Sequence, residues 1–345
     1  MPNYTYHSTS VLKNKLGLID GDQLDKVEGR LVRVRCSEID EGNGPKGNFD
    51  VAHLKAIHHY LFQDIYEWAG HTRDEPFSLT DGTVASEPVM RKGESRNFLA
   101  GSAIPDALEQ IAARLRGEDY LRGLDRNAFA TQAAAIMATL NSVHPFREGN
   151  GRTQRIFMSE LAVHAGHSLD FSVISQERMI RASIAAHEHD DTGVMRRLFN
   201  DASDPARFAA LSEAIAFLEK ERFPWNDRYI ATAEPGHEVK AMLAGVSRDN
   251  VMVRTETDIL IGHTSDLPMP HPRHGEWFML KPESKASSDQ GKKHTAEQSA
   301  TPESEREAPS EERSARFKRM MEEADQRIAK ENKGDHELKN GGRRR

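Results

Sequence analysis

The chain has 345 residues, of which 29% are charged and 37% hydrophobic, and this length predicts two domains rather than one. No apolar run approaches the roughly 18 to 20 residues that cross a bilayer, and the first residues lack the pattern of a secretory signal peptide, so no membrane association is expected. A single cysteine, Cys36, excludes an internal disulfide and is typical of a cytoplasmic protein. The net charge of −7 argues against broad electrostatic capture of nucleic acid.

Residues 1–222 are predicted to form a helical domain with an N-terminal extension. The segment that begins at Asp50 has apolar side chains at helical spacing on one face. They are Val51, Leu54, Ile57, Leu61 and Phe62. The helical pattern resumes at about Asn97.

A short β-hairpin is predicted between residues 73 and 90, inside this helical pattern. Asp81-Gly82 separates two β-favouring runs and is a frequent hairpin turn. A hairpin in a helical domain suggests a lid or a docking surface.

The next predicted helix begins at Asp125, whose side chain is a good N-cap, and leads to His144. Its apolar stripe consists of Phe129, Ala133, Ile136, Leu140 and Val143. Further helices are predicted over 153–165, 176–188, 191–200 and 205–222.

From residue 224 to 282 the pattern changes to short strands. Five β-favouring runs, separated by Gly, Pro, Asn and Asp, predict a small antiparallel, OB-like β-barrel. The runs are 229–232, 237–243, 250–255, 258–261 and 276–280. The composition of residues 283–345 predicts a disordered, charged tail. Within it, residues 311–331 could form one short amphipathic helix, although the pattern favours a transient helix in a solvated tail. The predicted fold class is mainly α, with a hairpin, a small barrel and a polar tail.

The segment from His144 to Arg155 reads HPFREGNGRTQR and joins two predicted helices. Its glycines permit positive φ angles, so successive backbone N–H groups point into one concavity at a helix N-terminus. Such a site favours an anion. Arg152 and Arg155 are three residues apart, so both guanidinium groups lean toward the same anion. A polyphosphate suits this arrangement better than a carboxylate does.

Three other residues of this segment indicate what chemistry it performs. Glu148 offers a hard oxygen ligand, and nucleotide-bound Mg²⁺ usually takes one or two protein carboxylates. An imidazole titrates near neutral pH, so His144 is a candidate general base. Phe146 is predicted to point into the core and to fix the bend. Together these residues predict group transfer from a nucleoside polyphosphate to a hydroxyl.

A second Gly-Asn-Gly, at residues 42–44, provides an internal comparison. At the matching positions it has no preceding histidine or phenylalanine and no following pair of arginines, so we interpret it as a plain loop. The histidines at 58 and 59, 164 and 167, and 187 and 189 lack zinc-site spacing and are interpreted as helix-surface residues.

Residues 144–155 match the signature of the Fic family, His-x-Phe-x-Asp/Glu-Gly-Asn-Gly-Arg-x-x-Arg, at every defined position. The wider sequence is also Fic-like, in Ile57-His58, Leu61-Phe62, Tyr66-Glu-Trp-Ala-Gly and Arg73, and over about residues 10–220 the chain is identified as a member of that family. A Fic domain before an OB-like barrel resembles the Bartonella effector proteins and conjugation-associated Fic toxins. Those proteins usually carry a C-terminal secretion domain where this chain has a polar tail, so secretion into a recipient or host cell is left open.

The resemblance implies a protein adenylyltransferase that transfers AMP from ATP to a Tyr, Ser or Thr hydroxyl of a target protein. His144 would deprotonate the hydroxyl, and Glu148 would hold Mg²⁺ on the α- and β-phosphates. Asn150 would form the anion hole with the backbone of Gly149 and Gly151.

The remaining phosphates would be bound by Arg152 and by Arg155, which would orient the γ-phosphate. The hairpin corresponds to the family's flap, which would hold an extended target segment by strand addition. Its residues are Phe77, Ser78, Leu79, Thr80, Asp81, Gly82, Thr83 and Val84.

The resemblance leaves the inhibitor and the target open. Many Fic proteins are silenced by a helix with the pattern Ser/Thr-x-x-x-Glu-Gly/Asn, whose Glu pairs with the second motif arginine. Residues 37–42 fit it literally, with Glu41 as the glutamate, although they end a helix of the domain core. The other candidate is a separate small antitoxin with an inhibitory Glu. The target implied is a type II topoisomerase subunit, or a host protein if the chain is exported.

Two alternatives remain beside adenylyl transfer. A Fic-fold enzyme could transfer another group, as a Doc-like kinase or by transfer of a different NMP, although the intact Glu148-Gly149 and Gly151 pattern disfavours the kinase. A non-enzymatic OB-type module could bind nucleic acid, but residues 224–282 lack a dense basic and aromatic stripe.

Overall fold

The computed structural model describes residues 4–91 and 96–283. They form two compact units, the first from residues up to 172 together with 179–205, and the second from 173–178 together with the residues from 206 onward. The predicted domain boundaries at 222–224 and 282–283 stay predictions. The tail from residue 284, with the predicted helix at 311–331, lies outside the described residues. Within the described ranges, no helix combines the length and the apolar character needed to span a bilayer.

Helices account for most of the regular structure in the described residues. In chain order the α-helices are α1 (Gly21–Glu38), α2 (Val51–Phe62), α3 (Ala103–Gly117), α4 (Arg126–Val143), α5 (Asn150–His164), α6 (Gln176–His189), α7 (Gly193–Ser203) and α8 (Pro205–Lys220). A π-helical turn, Ile39–Asn43, follows α1 directly.

The third helix begins later than its sequence pattern suggests. The predicted start at Asn97 is wrong, because α3 begins at Ala103. The preceding backbone N–H groups are used elsewhere: that of Phe98 donates to Met90 at 2.9 Å, and that of Leu99 donates to Ser142 at 3.0 Å. The second of these hydrogen bonds joins the segment before α3 to the end of α4.

Helix α4 lies at the centre of the first unit and packs against α3, α5 and α7. Asp125 caps it as predicted, since its carboxylate accepts the N–H of Ala128 at 2.8 Å. The predicted apolar stripe is entirely buried. This packing fixes the place where the helix ends, at His144.

The predicted hairpin is confirmed. Strands β1 (Phe77–Ser78) and β2 (Val84–Ala85) pair antiparallel, with Phe77 opposite Ala85. The turn between them contains Gly82 at φ +80°, a left-handed angle that glycine adopts without strain.

The second unit contains a five-stranded sheet, and each strand overlaps a predicted run. The strands are β3 (Ile230–Thr232), β4 (Val239–Val246), β5 (Asn250–Arg254), β6 (Ile259–His263) and β7 (Trp277–Leu280), in the order β3-β6-β5-β4-β7. This unit has a small apolar core of buried side chains from Ala233, Ala241, Leu243, Val251, Val253, Leu267 and Leu280.

This sheet corrects the predicted antiparallel barrel in two respects. The pair β3–β6 is parallel, and in the described residues β3 and β7 lie at opposite edges, so the sheet is not closed. One reason is that the outer edge of β3 already has a partner, because Arg178 donates to the carbonyl of Ile230 at 3.2 Å. A side chain therefore satisfies a carbonyl that barrel closure would have paired with a strand.

Candidate active site

Six residues, 144–149, separate α4 from α5, and both ends of this bend have left-handed backbone angles. His144 ends α4 at φ +47°, and Gly149 precedes α5 at φ +83°. A Cβ at Gly149 would lie 2.3 Å from the ring of Phe62. The backbone angle and the close approach therefore both require glycine here.

The bend is held together by buried polar and aromatic contacts. The Oδ1 of Asn150 accepts the N–H of Phe146 at 2.9 Å, and its Nδ2 donates to the carbonyl of Phe146 at 2.7 Å. Phe146 is buried and stacks on His58, with ring centroids 3.8 Å apart. The side chain of Asn150 thus closes the bend, which leaves backbone N–H groups at the start of α5 for an anion.

His58 fixes the carbonyl that precedes Gly149. Its Nδ1 accepts the N–H of Gly70 at 2.8 Å, so its Nε2 carries the proton and donates to the carbonyl of Glu148 at 3.0 Å. Complete burial lowers the pKa of His58 to about 3, which keeps the ring neutral at physiological pH. The interpretation as surface histidines is therefore wrong for His58 and for His187, which are both buried.

The guanidinium of Arg152 contacts two carboxylates and one aromatic ring. Its Nη2 lies 2.6 Å from Glu28 Oε1 and 3.4 Å from Glu148 Oε1, and its guanidinium carbon lies 4.7 Å from the centroid of the Phe62 ring. The other oxygen of Glu28 accepts a hydrogen bond from Tyr66. Arg152 is therefore oriented before any ligand arrives.

Arg155, one turn further along α5, has a different environment. Its side chain is half-buried, and no carboxylate in the described part of the chain forms an ion pair with it. Burial, and secondly the charge of Arg152, lower its pKa. An anion bound at both guanidinium groups would remove this unfavourable interaction.

Glu148 is a partly exposed carboxylate of this site. Its Oε1 accepts the N–H of Gly149 at 2.9 Å, and its side chain is 41% exposed. Among the residues described, no three His, Cys, Asp or Glu side chains cluster as a metal site. A cation at Glu148 would therefore take its other ligands from a phosphate chain and from water.

The imidazole of His144 is supported by aromatic stacking. Its ring lies parallel to that of Phe98, with centroids 4.0 Å apart and an interplanar angle of 6°. Phe98 also contacts the ring of His187 at 4.8 Å. At the backbone, the carbonyl of His144 accepts a hydrogen bond from Arg73 Nε at 2.8 Å.

The hairpin is fixed at its turn. Lys13 Nζ lies 2.8 Å from Asp81 and donates to Thr83 at 2.8 Å. Glu67 accepts both the N–H and the hydroxyl of Thr80 at 2.8 Å. Leu79 is buried, whereas the exposed residues of the predicted flap are Ser78, Thr80, Asp81, Gly82 and Val84.

The structure thus groups Glu148, Arg152 and Arg155 at the N-terminus of α5, after the bend that starts at His144. Sequence reasoning missed Glu28 and Phe98. Glu28 had a weak signal, because it lies between Leu24 and Val32 in the buried stripe of α1, where a carboxylate is unusual unless it is paired.

The chain is similar to known proteins in sequence and in fold. The sequence profile of the Fic/DOC family matches residues 48–162. A protein adenylyltransferase of Bartonella henselae is 35% identical over 268 residues, which are 77% of this chain and 49% of that protein. The chain therefore spans about half the length of this curated relative.

Two solved structures are also similar. The type IV secretion system effector protein BepA has 33% sequence identity and a TM-score of 0.77, over 82% of this chain and 97% of that one. BepC from Bartonella tribocorum, with bound AMPPNP, has 40% identity and a TM-score of 0.57, over 59% of this chain and 97% of that one.

Proposed function

Because the chain belongs to the Fic/DOC family, we propose that it is a protein adenylyltransferase, which transfers AMP from ATP to a Tyr, Ser or Thr hydroxyl of a target protein. The observation that carries this proposal is the start of α5, where Arg152 and Arg155 lie one turn apart after a bend that begins at His144. A helix N-terminus with two arginines suits a polyphosphate. The AMPPNP bound to BepC supports a nucleotide as the ligand.

In the proposed reaction, the target hydroxyl oxygen attacks the α-phosphorus, and the bond to pyrophosphate breaks. The hydroxyl proton passes to the imidazole of His144, which the stacked ring of Phe98 holds in place. Arg152 and Arg155 stabilise the negative charge that develops on the departing phosphates. Because Glu28 orients Arg152 in advance, little reorganisation is needed when ATP binds.

Glu148 is the residue proposed to hold Mg²⁺. A partly exposed carboxylate is the hard oxygen ligand that this ion takes from a protein when it arrives with nucleotide phosphates. The ion would supply positive charge that neutralises the phosphate oxygens.

The hairpin is the surface proposed to dock the target. In the described residues, β1 and β2 pair only with each other, so each strand has an edge that no other strand covers. An extended target segment could add there, and main-chain hydrogen bonds would align it without demanding much of its sequence.

The proposed partners rest on the resemblance to Fic toxins and effectors. We propose a type II topoisomerase subunit as the first target to test, and a host protein if the chain is exported. Glu41 is exposed, and in the described residues no ion pair joins it to Arg155. This favours a separate small antitoxin, whose glutamate would pair with Arg155.

The free thiol of Cys36 fits action in a reducing cytoplasm.

Labelled ATP tests the proposal. Purified protein with Mg²⁺ and a bacterial lysate should label a target from α-labelled ATP and not from γ-labelled ATP. The variant His144→Ala should reduce labelling by about 10²- to 10⁴-fold, as expected for loss of a general base. His189→Ala, which changes an exposed histidine, is the matched control and should keep full activity.

Each other outcome has a defined meaning. Label from the γ position would replace adenylyl transfer by a kinase-like reaction. No labelling by the wild-type protein, after removal of any bound inhibitor, would overturn the proposal.

A further inference from the structure

Arg73 is fully buried, yet each of its five N–H donors has a backbone carbonyl as a partner. Nε donates to His144 at 2.8 Å, Nη1 donates to Glu87 at 3.0 Å and to Pro88 at 2.8 Å, and Nη2 donates to Leu99 and, at 3.3 Å, to Val143. The planar guanidinium therefore uses its whole hydrogen-bonding capacity within the fold. A lysine, with three donors on one atom, could not reproduce this set.

The five carbonyls belong to three segments that meet at the proposed active site. Val143 and His144 form the end of α4 and carry the proposed base. Residues 87–88 begin two residues after the end of β2 of the hairpin. Leu99 adjoins Phe98, whose ring stacks on the imidazole of His144.

The backbone of Arg73 adds two more links between these segments. Its N–H donates to the carbonyl of Pro145 at 2.8 Å, and its carbonyl accepts the N–H of Glu87 at 2.7 Å. Side chain and backbone together thus connect the residue of the base, the residue after it, and the exit of the hairpin.

The place of the Arg73 guanidinium, at the C-terminal end of α4, has a physical reason. The last carbonyls of a helix lack intrahelical partners, and a cation near them is favourable. The left-handed angle of His144 is also costly for a residue that has a Cβ, so it persists only where surrounding contacts impose it. Arg73 supplies both the charge and the contacts.

We propose that Arg73 is a positioning residue that fixes the imidazole of His144 and holds the hairpin at a set distance from it. This inference rests on the proposed adenylyl transfer and deepens it: one guanidinium would align the base with the docked target strand. None of the five carbonyls belongs to Glu148, Arg152 or Arg155, so ATP binding should not depend on Arg73.

The variant Arg73→Lys tests whether Arg73 positions the base and the hairpin without affecting ATP binding. We expect kcat for AMP transfer to fall by roughly 10²-fold, the scale associated with a ~1 Å misplacement. The KM for the target should rise several-fold, whereas the Kd for ATP should change by less than about twofold. If Arg73 had a purely structural role, its substitution would not change kcat and the KM for the target while leaving the Kd for ATP unchanged.

Arg178→Lys is the matched control. Arg178 is also a buried arginine, but it lies in the second unit and donates to the carbonyl of Ile230. The Arg178→Lys substitution should lower the Tm of the protein without changing kcat for AMP transfer. All constants should be compared at a temperature at which circular dichroism shows every variant folded.

The outcomes are distinguishable. A folded Arg73→Lys variant with kcat and target KM within twofold of wild type would overturn the inference, and so would an ATP affinity that falls in proportion to kcat. Absence of transfer by the wild type would instead refute the adenylyltransferase proposal. In that case, hydrogen exchange of the Glu87 and Leu99 amides should still be faster in Arg73→Lys than in Arg178→Lys, and equal rates would refute the link.

If Arg73→Lys fails to fold, the wild-type protein decides the question. In a ¹⁵N side-chain spectrum, the Nε–H resonance of Arg73 should shift when the target binds and stay unchanged when ATP binds. A shift with ATP and none with the target would contradict the inference.

Discussion

The chain contains the tripeptide Gly-Asn-Gly twice, at residues 42–44 and 149–151, and the two copies have nearly equal φ angles at their first glycine, +86° and +83°. In the first copy the asparagine is exposed, and a Cβ on the first glycine would meet no described atom within 4 Å. In the second copy the asparagine is buried, and the same Cβ would lie 2.3 Å from the ring of Phe62. The tripeptide sets the local angle in both, but only its surroundings make the second copy a site.

The two copies also lie at opposite ends of helices. Residues 42–44 lie at the end of the π-helical turn that follows α1, so the nearby unpaired backbone groups are carbonyls. Residues 149–151 lie at the start of α5, where the unpaired backbone groups are N–H donors and the positive end of the helix dipole is located. The same turn therefore repels an anion at one place and attracts it at the other.

The largest expected contrast between the copies is at their first glycines. Gly149→Ala would place a methyl group against Phe62, which supports Arg152, in addition to the strain of a positive φ. We expect a loss of about 3 kcal/mol or more in the free energy of unfolding and at least ~10²-fold in AMP transfer. Gly42→Ala should cost only the backbone strain, about 1–2 kcal/mol, and leave transfer unchanged. Urea unfolding and initial rates measure both, and equal effects at the two positions would contradict the comparison.

A smaller contrast is expected at the asparagines. Asn150→Ala would leave the N–H and carbonyl of Phe146 without their buried partners, at a cost of about 2–3 kcal/mol. Asn43→Ala, at an exposed position, should change stability by less than about 0.5 kcal/mol. Thermal unfolding of the pair checks this. If Asn43→Ala were as destabilising as Asn150→Ala, the two turns would not differ as described.

The smallest expected effect is a pH dependence specific to the second copy. The unfolded state binds a proton at His58 below about pH 6.5, whereas the folded state does so only near pH 3. In that window the unfolded state holds more protons, so His58 lowers stability as the pH falls. Its contribution between pH 7 and pH 6 is roughly 0.7 kcal/mol.

Chemical unfolding at several pH values tests this contribution. His58→Phe should flatten the slope of unfolding free energy against pH by that amount, whatever its effect on absolute stability. A slope for His58→Phe identical to that of the wild type would refute a neutral His58.

The parts of the fold that the sequence predicted depend on local patterns. The cap at Asp125, the stripe of α4, the turn at Asp81-Gly82 and the β-favouring runs after residue 224 each arise within a few residues of the chain. The signature at 144–155 located the candidate site for the same reason. Its assigned roles for individual residues stay predictions.

What the sequence did not predict depends on distant partners. The pairing of Glu28 with Arg152 and the five carbonyls around Arg73 join segments that no periodicity relates. The parallel pairing of β3 with β6 was likewise not predicted. The alternation of apolar and polar residues within one strand does not determine which other strand it pairs with. Tertiary contacts also determined the late start of α3.

The short run 173–178 belongs to the second unit although the first unit resumes after it. Ser175 Oγ donates to the carbonyl of Arg228 at 2.6 Å, and Arg178 supports the carbonyl of Ile230 on the outer side of β3. A fragment that began at residue 206 would lack both donors and would leave the carbonyl of Ile230, on the edge strand β3, without its side-chain donor. Expression of the β unit alone, or its exchange between related proteins, therefore requires this six-residue run to be carried along.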